Sequence, residues 1–586
     1  MCPEPRVVGW RAALQFRPRS RFRGHRANDA PVGLRLMRVL IEMIRLVSGW
    51  VLVNGLLMTP LWLSGAVTDA SAPAWLSLEA ALIVGAMALL PRRPWSRRLA
   101  WILAAGVILF VIASLTDLIF RVSLGRPLNL SLDLYLLSAV YRLSVGNSGF
   151  LRTLLGFGAI AVSLTLSAFA TAWVLTPAAS DRKRPIARLV PRFGGVAIVA
   201  ALALGLIGRS APAVGHRLAT PAVRFVFEQV EQLRVTRRER VAFAAELEKQ
   251  PDGFADLPGL LSRLGGHNVV VAFIESYGMA ALDDPEFAVT IRPRLDMTAE
   301  RIENAGLHLA TGELASPTLG GQSWYAHGTM LSGLWLENQL RYDLLLASER
   351  ETLVDDFRRA GYRTAAVMPA ITTSWPEGLR LGYDDVYSRP SIPYAGPPFY
   401  WVTVPDQFTW SFLGKILRDA ATPLFVEAAM VSSHAPWTPV LPLIDWDSVG
   451  DGAIFGPYRE DGYPPEELWW DIQALREGYA RSLDYSLQAM AEFAERFLED
   501  RTLLVVVGDH QAAPWVTGAS GPDVPVHVIA RDPALLEPFL EWGFHPGAFP
   551  DPEGSPPRMA EFREWFVRAF SGGTSASATP LTEEGR

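Results

Sequence analysis

The sequence reads LLVVVGDHQAAP at residues 503–514, where an aliphatic run ends in an acid and an imidazole. Its first five residues are all aliphatic, which is typical of a strand buried on both faces of a sheet. Gly508 follows, and then Asp509 and His510, two residue types that seldom lie in a core without partners. The stretch therefore predicts a core strand that carries two polar side chains to one end of a sheet.

Two other aliphatic runs end in the same way. In HNVVVAFIESYG (267–278) the run is followed by Glu275, and in PLFVEAAMVSSHAPW (423–437) it is followed by His434. Ligands of open α/β sheets bind at the carboxyl ends of the strands, so these side chains are expected at one site. Two carboxylates and an imidazole suit Mn²⁺, Zn²⁺ or Mg²⁺. A single such strand end would equally fit a turn cap and an ordinary ion pair, but three together favour a metal site.

The chain between these runs alternates helix-like and strand-like segments. A helix, a glycine turn and a strand are predicted by LVDDFRRAGYRTAAVM (353–368), and a long amphipathic helix by LREGYARSLDYSLQAMAEFAERFL (475–498). This alternation is typical of a mostly parallel sheet with helices on both faces. The second part of the chain is therefore predicted to be an α/β domain.

Five apolar runs precede this domain, at about 46–64, 75–90, 99–120, 154–175 and 193–208. The third and fourth are long enough to cross ~30 Å of hydrocarbon unaided, whereas the second and fifth need flanking residues. Five buried core helices are the alternative, but runs this apolar favour a membrane, and 50% of the chain is hydrophobic. We therefore expect an N-terminal transmembrane domain of five helices.

Basic residues are unevenly placed around these runs. Nine Arg lie between Arg6 and Arg38, before the first run, and further basic clusters lie in PRRPWSRR (91–98) and DRKRPIARLVPR (181–192). By the positive-inside rule the N-terminus is cytoplasmic, and five crossings then place the α/β domain outside the cytoplasm. The expected protein is a multi-pass protein of the bacterial inner membrane with a periplasmic or extracellular domain.

Charge and cysteine content exclude some functions. Residues 1–208 hold 23 Lys and Arg against 8 Asp and Glu, whereas residues 209–586 hold 31 against 52. The acidic second part would repel phosphates, so nucleic acid is not an expected partner. The only cysteine, Cys2, allows neither an intramolecular disulfide nor a thiolate metal cluster.

The expected domain boundaries follow from these patterns. They are a basic, unstructured N-terminus at 1–36, a transmembrane domain at 37–208, a helical connector at 209–265, the α/β domain at 266–570 and an unstructured tail at 571–586. Met37 is an alternative start of the protein. Within the connector, a helix is expected around 222–249.

A glycine turn supplies a candidate nucleophile. In SPTLGGQSWYAHGTMLSGL (316–334), two glycines precede Ser323, and an apolar helix-like run begins near Tyr325. A serine at a helix start can meet a bound anion, because main-chain N–H groups and the helix dipole attract phosphate. If the serine also ligates a metal ion, its hydroxyl becomes more nucleophilic. The alternative for Ser323 is an ordinary N-cap.

Taken in chain order, these segments resemble a known family. They are NVVVAFIES, GGQSWYAHGTMLSG, GYRTAAV, SWPEGLRLGYDDVY, SSHAPW, YARSLDYS and LLVVVGDH, and they are similar to the sulfatase-like branch of the alkaline phosphatase superfamily. Within it the chain most resembles the lipoteichoic acid synthase and phosphoglycerol transferase group. Members of that group are five-span membrane proteins with an extracytoplasmic catalytic domain, and the resemblance covers roughly residues 40–570.

The resemblance implies roles for individual residues. It implies one divalent cation, Mn²⁺ with Zn²⁺ or Mg²⁺ as alternatives, held by Glu275, Ser323, Asp509 and His510. Ser323 takes the position of the family's nucleophile, and His434 that of a substrate-binding histidine beside the departing oxygen. Trp375 lies near a family tryptophan that lines the headgroup pocket. His327, one helical turn beyond Ser323, is expected either to face the phosphoryl group or to pack.

Two departures separate the sequence from that group. MPAITTS (368–374) replaces the basic and histidine residues that precede the family tryptophan. Trp324 and His327 replace small and acidic residues. These departures concern the identity of the headgroup, whereas the class of chemistry stays the same.

The implied function is that of a membrane-anchored phosphotransferase. It would move a phosphoglycerol or phosphoethanolamine headgroup from a membrane lipid to an envelope glycan or lipid, through a phosphoserine at Ser323. An extracytoplasmic phosphodiesterase or sulfatase-like hydrolase is the alternative, followed by a non-catalytic membrane sensor. A transporter is a further alternative, because Glu79 and Asp117 lie in apolar runs. Formylglycine sulfatase chemistry is disfavoured, because neither Ser316, which Pro317 follows at once, nor Ser323 has the Arg that this chemistry requires at a fixed spacing.

Overall fold

The computed structural model of the protein describes residues 32–68, 74–177, 189–210, 218–249, 254, 257–462, 464–498, 501–518, 521–551 and 555–572. The predicted unstructured segments at 1–36 and 571–586 fall mostly outside these residues, although a helix already begins at Val32. The described residues form two compact units. The first takes in those of Met1–Met58, Ala72–Val107 and Ser167–Ala219, and the second those of Thr59–Ser71, Ile108–Leu166 and Thr220–Arg586.

All five predicted apolar runs are helical. The N-terminal helices are α1 (Val32–Thr68), α2 (Leu78–Leu89), α3 (Pro94–Leu124), α4 (Leu136–Leu175) and α5 (Leu189–Ser210), and the predicted connector helix is α6 (Pro221–Lys249). A short parallel pair joins β1 (Leu76–Ser77) to β2 (Leu218–Ala219). Large apolar side chains such as Leu109 and Trp173 are 67% exposed on these helices, as expected for surfaces that face lipid.

Fewer than five of these helices meet the requirements of a membrane span. Among the described residues, Leu40–Ser64, Pro94–Leu124 and Ser148–Leu175 are long and apolar enough to cross a membrane. Leu78–Leu89 and Arg192–Ala201 are shorter apolar helices. By helix length and composition, three of the five predicted spans are therefore supported.

The second unit contains an eight-stranded mixed sheet. Its strands are β3 (Asn268–Ile274), β4 (His308–Ala315), β5 (Arg363–Met368), β6 (Asp385–Ser388), β7 (Leu424–Met430), β8 (Thr502–Gly508), β9 (Asp523–Ala530) and β10 (His545–Pro546). Their order is β10-β4-β9-β8-β3-β7-β5-β6. The block β8-β3-β7-β5-β6 is parallel, while the pairs β8–β9, β9–β4 and β4–β10 are antiparallel. The predicted parallel arrangement thus holds for five neighbouring strands, and the other three make the sheet mixed.

Helices cover both faces of this sheet, as predicted. One face packs against α8 (Pro285–Asn304), α13 (Asp406–Arg418) and α15 (Ile472–Phe497), and the other against α9 (Trp324–Ser332), α11 (Leu353–Arg359) and α18 (Phe562–Phe570). The alternate residues of β3 divide between the two cores, with Val270 in one and Val271 in the other. In β8 the five aliphatic residues are fully buried, and each side chain contributes about 1.5–3 kcal/mol of burial free energy.

Shorter helices complete the second unit. They are α7 (Ala280–Asp283), α10 (Gln339–Ala347), α12 (Pro376–Arg380), α14 (Pro465–Leu468), α16 (Pro514–Thr517) and α17 (Glu537–Glu541). Turns of 3₁₀ helix lie at Asp133–Tyr135, Ser262–Leu264, Trp446–Ser448, Ala453–Glu460, Pro533–Leu535 and Met559–Glu561.

Candidate metal centre and active site

Two neighbouring strands deliver the acidic residues to one point. In the parallel register Ile274 of β3 pairs with Gly508 of β8, so the residues that follow them, Glu275 and Asp509, emerge side by side. One ligand atom each of Glu275, Asp509 and His510 lies within 4.8 Å of the others. The cluster is buried and can hold a metal ion. Gly508 is required at this point, because a Cβ there would lie 1.8 Å from the Tyr277 carbonyl oxygen.

Ser323 completes the cluster. It occupies the N-cap position of α9, but its side chain makes no capping hydrogen bond. Its Oγ instead donates to Glu275 Oε2 at 3.1 Å and lies 3.2 Å from His510 Nε2. Ser323 thus lies at the N-cap position, as the alternative expects, but its hydroxyl bonds to the cluster and does not cap the helix. All four predicted ligands lie together.

The His510 ring presents one nitrogen to the cluster. Its Nδ1 lies 2.9 Å from the Gln511 carbonyl oxygen, which can only accept a hydrogen bond, so Nδ1 carries a proton. Its Nε2 lies 3.3 Å from Glu275 and 3.6 Å from Asp509. A histidine held through one nitrogen by a carbonyl while the other faces carboxylates is the usual arrangement of a metal-binding histidine.

The charges of the cluster also fit a cation. Burial and the neighbouring Glu275 raise the pKa of Asp509 to about 6. Burial also opposes the ionisation of Glu275, but His434 and His510 lower its pKa below the usual value. Burial opposes the charging of His510, yet Asp509 and Glu275 raise its pKa to about 9. Because two carboxylates lie close together and are buried, a positive charge beside them is favourable. The donor set of two carboxylates, an imidazole and a hydroxyl suits a divalent ion.

Ser276 orients both acidic ligands, and sequence reasoning missed it. Its main-chain N–H donates to Asp509 Oδ1 at 2.8 Å, and its Oγ donates to Glu275 Oε1 at 2.9 Å. Its φ of 57° lies in the left-handed region, which is uncommon for a residue with a side chain. A strained backbone at a ligand cluster is typical of functional sites, although no sequence pattern identifies it.

His434 lies beside the cluster on the loop after β7. Its Nδ1 donates to the Ala435 carbonyl oxygen at 2.7 Å, and the ring meets Trp401 edge-on with centroids 5.2 Å apart. The loop is fixed by the fully buried Asp406, whose Oδ1 accepts from the N–H groups of Val431 at 2.7 Å and Ser432 at 2.9 Å. Burial raises the pKa of Asp406, and these hydrogen bonds oppose the shift.

The other two predicted substrate residues are half-buried and contact side chains outside the cluster. His327 Nδ1 is 2.7 Å from Glu427 Oε1, and its ring stacks on Phe273 with centroids 3.8 Å apart. Tyr383 donates to the other oxygen of Glu427. Trp375 packs near Tyr383, with ring centroids 6.4 Å apart. Neither His327 nor Trp375 is among the residues that line the cavity at the metal cluster.

A cavity of about 450 Å³ opens above the metal cluster. Glu275, Ser276 and His434 line one end, and the side chains of Leu118, Ile119 and Val122 from the last turns of α3 line another part. Four tryptophans complete the wall: Trp401, Trp437, Trp469 and Trp515. The lining is mostly apolar, and no Lys or Arg is among the described residues that form it. The contribution of α3 could not be inferred from its sequence alone.

A family model described as Sulfatase matches residues 318–523. This segment is sulfatase-like. It takes in Ser323, His434, Asp509 and His510, while Glu275 precedes it, and the predicted resemblance to the sulfatase-like branch is thereby confirmed. No curated protein sequence matches the chain.

Three solved structures are among those to which the chain is similar. The lipooligosaccharide phosphoethanolamine transferase A of Neisseria meningitidis is 14% identical, with 84% of this chain and 87% of that chain covered and a TM-score of 0.45. The lipoteichoic acid synthase LtaP of Listeria monocytogenes is 11% identical, with coverages of 55% and 78% and a TM-score of 0.36. The phosphoglycerol transferase GacH of Streptococcus pyogenes is 12% identical, with coverages of 51% and 74% and a TM-score of 0.32.

Proposed function

We propose that the protein is a membrane-anchored, metal-dependent phosphotransferase. It moves a phospho-headgroup of the phosphoglycerol or phosphoethanolamine type from a lipid donor to a glycan or lipid of the cell envelope. The reaction passes through a phosphoserine at Ser323. The sulfatase-like segment supports the class of chemistry, because it contains this serine and most of the proposed ligands.

One observation carries the proposal. The Ser323 hydroxyl lies between Glu275 and His510, and the cavity above Glu275 continues to the apolar end of α3. A phosphate at the metal cluster would therefore have an apolar wall, formed in part by a candidate membrane helix, within reach of its ester substituent. That combination suits a phospholipid, because its glycerol and acyl carbons need an apolar environment next to the headgroup.

The metal ion would be held by Glu275, Ser323, Asp509 and His510. Mn²⁺ is the proposed ion, and Zn²⁺ and Mg²⁺ accept the same donors. When bound, a divalent cation lowers the pKa of a coordinated hydroxyl and offers positive charge to the phosphoryl oxygens. Ser276 and the Gln511 carbonyl keep the carboxylate and imidazole ligands in place.

In the first half of the reaction, Ser323 releases its hydroxyl proton to solvent and attacks the phosphorus of the donor. The Oγ–P bond forms as the bond between phosphorus and the diacylglycerol oxygen breaks. His434, whose Nδ1 is held by the Ala435 carbonyl, presents Nε2 to the site and gives the departing oxygen a proton. Diacylglycerol then leaves along the apolar wall.

The second half reverses these roles. The hydroxyl of the acceptor gives its proton to His434 and attacks the phosphorus, and the P–Oγ bond breaks. Ser323 takes up a proton from solvent, so the site returns to its starting state. The N-terminus of α9 helps to stabilise negative charge on the phosphoryl group in both halves.

The proposed location follows from the apolar helices and the basic loops. The protein lies in the bacterial inner membrane with five spans, a cytoplasmic N-terminus and the sulfatase-like domain outside. A lipid donor then reaches the cavity by lateral diffusion. His327 and Trp375 are proposed to contribute to the headgroup pocket through the residues that they support.

The intact mass of the full chain tests the proposal. The protein is incubated with Mn²⁺ and vesicles of phosphatidylethanolamine, phosphatidylglycerol or phosphatidylcholine, beside Ser323→Ala and the remote control Ser391→Ala. A headgroup phosphate adduct is expected in the wild type and in the control and not in Ser323→Ala. Equal release of diacylglycerol by wild type and Ser323→Ala would overturn the proposal, and release of headgroup phosphate to water alone would indicate the hydrolase.

A further inference from the structure

A second cavity, which is polar and is called the acidic cavity here, lies close to the metal centre. Its volume is about 450 Å³, and it lies between the turn after β3, the helix α7 and the strands β4 and β9. Four carboxylates line it, those of Asp283, Asp284, Glu313 and Asp523. No Lys or Arg is among the described residues of its lining, and none of the four proposed ligands of the catalytic ion lines it.

The strand register places two of these acids together. In the antiparallel pair of β4 and β9, Glu313 is opposite Pro525, and Ala315 is opposite Asp523. Alternate residues of a strand share a face, so Glu313 and Asp523 are diagonal neighbours on the same side of the sheet. Burial raises the pKa of Glu313 to about 7, and the charges of Asp523, Asp283 and Asp551 add to the shift.

The four carboxylates differ in how well they are neutralised. Asp284 binds Arg476 at 2.8 Å, and Asp283 lies 4.0 Å from Arg292. Glu313 and Asp523 have no salt bridge among the described residues. Negative charge therefore remains at this pair, and a cation would relieve it.

An independent feature points to a ligand in the same cavity. The side chain of Gln511 lines it, and the residue is only 1% exposed. Neither its Nε2 nor its Oε1 finds a hydrogen-bond partner among the described residues. Buried amides are nearly always hydrogen-bonded, so an amide left without partners needs an explanation. A carbonyl oxygen of this kind is a suitable ligand for a hard cation.

We propose that Glu313, Asp523 and the side-chain oxygen of Gln511 bind a divalent cation, for which Ca²⁺ is the expected ion. The donors are all oxygen atoms, in contrast to the imidazole-containing catalytic cluster, and this favours Ca²⁺ over transition metals. Ca²⁺ accepts carboxylates, amide carbonyls and water in flexible geometry, and the cavity has room for water ligands.

The position of Gln511 gives this cation a role. The Gln511 carbonyl accepts hydrogen bonds from Gly320 N at 2.8 Å and from His510 Nδ1 at 2.9 Å. The first of these holds the glycine turn before Ser323, and the second holds a ligand of the catalytic ion. A cation on the side chain of Gln511 therefore steadies the segment that positions both. Its binding does not depend on the reaction proposed for Ser323.

Ca²⁺ titration of the full chain in detergent tests the inference. The protein is stripped with a chelator and saturated with Mn²⁺ at the catalytic cluster, and Ca²⁺ alone is then added in a calorimeter. Wild type is expected to bind one further equivalent, with a dissociation constant of about 10⁻⁴–10⁻³ M or below. Since Glu313 is partly protonated near pH 7, binding should release protons, and the measured heat should depend on the ionisation enthalpy of the buffer.

Three variants assign the bound ion to its site. Glu313→Gln combined with Asp523→Asn should lose the Ca²⁺ equivalent and keep Mn²⁺ binding, which also shows that the variant is folded. Asp509→Asn should lose Mn²⁺ and keep Ca²⁺, and Glu300→Gln, an exposed acid elsewhere, should change neither. If the double variant does not fold, Gln511→Glu serves in its place and should bind Ca²⁺ several-fold more tightly. No Ca²⁺ binding by wild type, or Ca²⁺ binding that survives the double variant or disappears in Asp509→Asn, would overturn the inference.

Discussion

Arg126 donates a hydrogen bond from Nη2 to Gln322 Oε1 at 3.2 Å, although the two residues are 196 positions apart. Arg126 is itself held by both carboxylate oxygens of Asp133, at 2.8 and 3.0 Å. The amide nitrogen of Gln322 donates to the hydroxyl groups of Tyr135 at 3.0 Å and Tyr325 at 3.1 Å. Side chains of the segment that follows α3 thus hold the residue immediately before Ser323 in place through hydrogen bonds.

These hydrogen bonds predict that changes at Gln322 or Arg126 slow the reaction of Ser323 and leave metal binding intact. Gln322 has a φ of 65°, an unfavourable conformation that its side-chain hydrogen bonds maintain. Gln322→Ala and Arg126→Ala should each slow formation of the Ser323 adduct by up to about 100-fold, because small displacements of a nucleophile have effects of that size. Mn²⁺ affinity should stay unchanged. The rate of adduct formation for Arg126→Lys should lie between those of wild type and Arg126→Ala. The exposed Arg142→Ala is the control and should react at the wild-type rate. Equal rates for Gln322→Ala and wild type would contradict the positioning role.

The glycine turn before Ser323 predicts a second effect, which is steric. A Cβ on Gly320 would lie 1.8 Å from the main-chain oxygen of Ser123, and its φ is 68°. Gly543 has a φ of 99° and no atom within 4 Å of such a Cβ. Gly543→Ala should therefore cost about 1–2 kcal/mol of unfolding free energy from backbone conformation alone.

Gly320→Ala should cost more, because the turn and Ser123 must move apart. We expect it to abolish the Ser323 adduct, whereas Gly543→Ala should retain it. Chemical denaturation and intact mass measure the two effects. If both variants lost the same stability and kept the adduct, the close approach of Gly320 to Ser123 would have no functional importance.

The metal centre predicts a role for Ser276 in affinity. Its hydroxyl orients Glu275 Oε1, and losing such a support for a ligand typically costs about 10–100-fold in metal affinity. Ser276→Ala should weaken Mn²⁺ binding by that factor in a titration. The buried Ser482 donates to the Gly478 carbonyl within a helix, so Ser482→Ala is a matched control that should bind Mn²⁺ normally. Unchanged affinity in Ser276→Ala would indicate that main-chain contacts alone orient the ligands.

The contact between the half-buried His327 and the buried Glu427 predicts a structural role for this histidine. Removing one partner of a buried pair leaves an uncompensated polar group, so His327→Leu should lower the unfolding free energy by about 3 kcal/mol. Tyr383→Phe, which removes the other contact of Glu427, should cost about 1 kcal/mol. If His327 instead binds substrate, His327→Leu would raise KM and leave the unfolding free energy unchanged.

Part of this architecture could be predicted because short local sequence patterns determine it. The aliphatic residues of β3, β7 and β8 determine that these strands are buried neighbours, and parallel pairing then brings Glu275 and Asp509 together. Ser323 could be placed at a helix start for the same local reason. The hydrogen bonds of Gln322 and the cavity wall from α3 depend on tertiary contacts between distant segments, and no local pattern encodes them.

The prediction of the second membrane span was limited in the same way, because local contacts determine where the helix begins and ends. Hydropathy extends over 75–90, but the helix is confined to Leu78–Leu89, because Ser77 caps its start by accepting from Ala80 N at 3.2 Å and Pro91 follows its end. Asp117 is likewise explained by a local contact. It accepts from Arg121 Nε at 2.7 Å and from Leu128 N at 2.8 Å, which fixes the turn at the end of α3.

His527 predicts a pH dependence of stability. It is fully buried in β9, with Nε2 3.0 Å from the Tyr277 hydroxyl and Nδ1 2.9 Å from Thr311 Oγ1. Burial lowers its pKa from 6.5 to about 4, so the native protein keeps the ring neutral at pH values where the unfolded chain protonates it. Its contribution is complete above about pH 6.5 and is lost as the pH falls toward 4, to a total of about 3 kcal/mol.

The difference between wild type and His527→Gln isolates this contribution from the titration of carboxylates. Glutamine retains a donor and an acceptor but does not titrate in this range. We expect the unfolding free energy of wild type to fall relative to the variant between pH 6.5 and pH 4, and the difference to be constant above pH 7. Parallel curves for the two proteins across the whole range would mean that the pKa of His527 is the same in the native and unfolded states, and that burial does not keep the ring neutral.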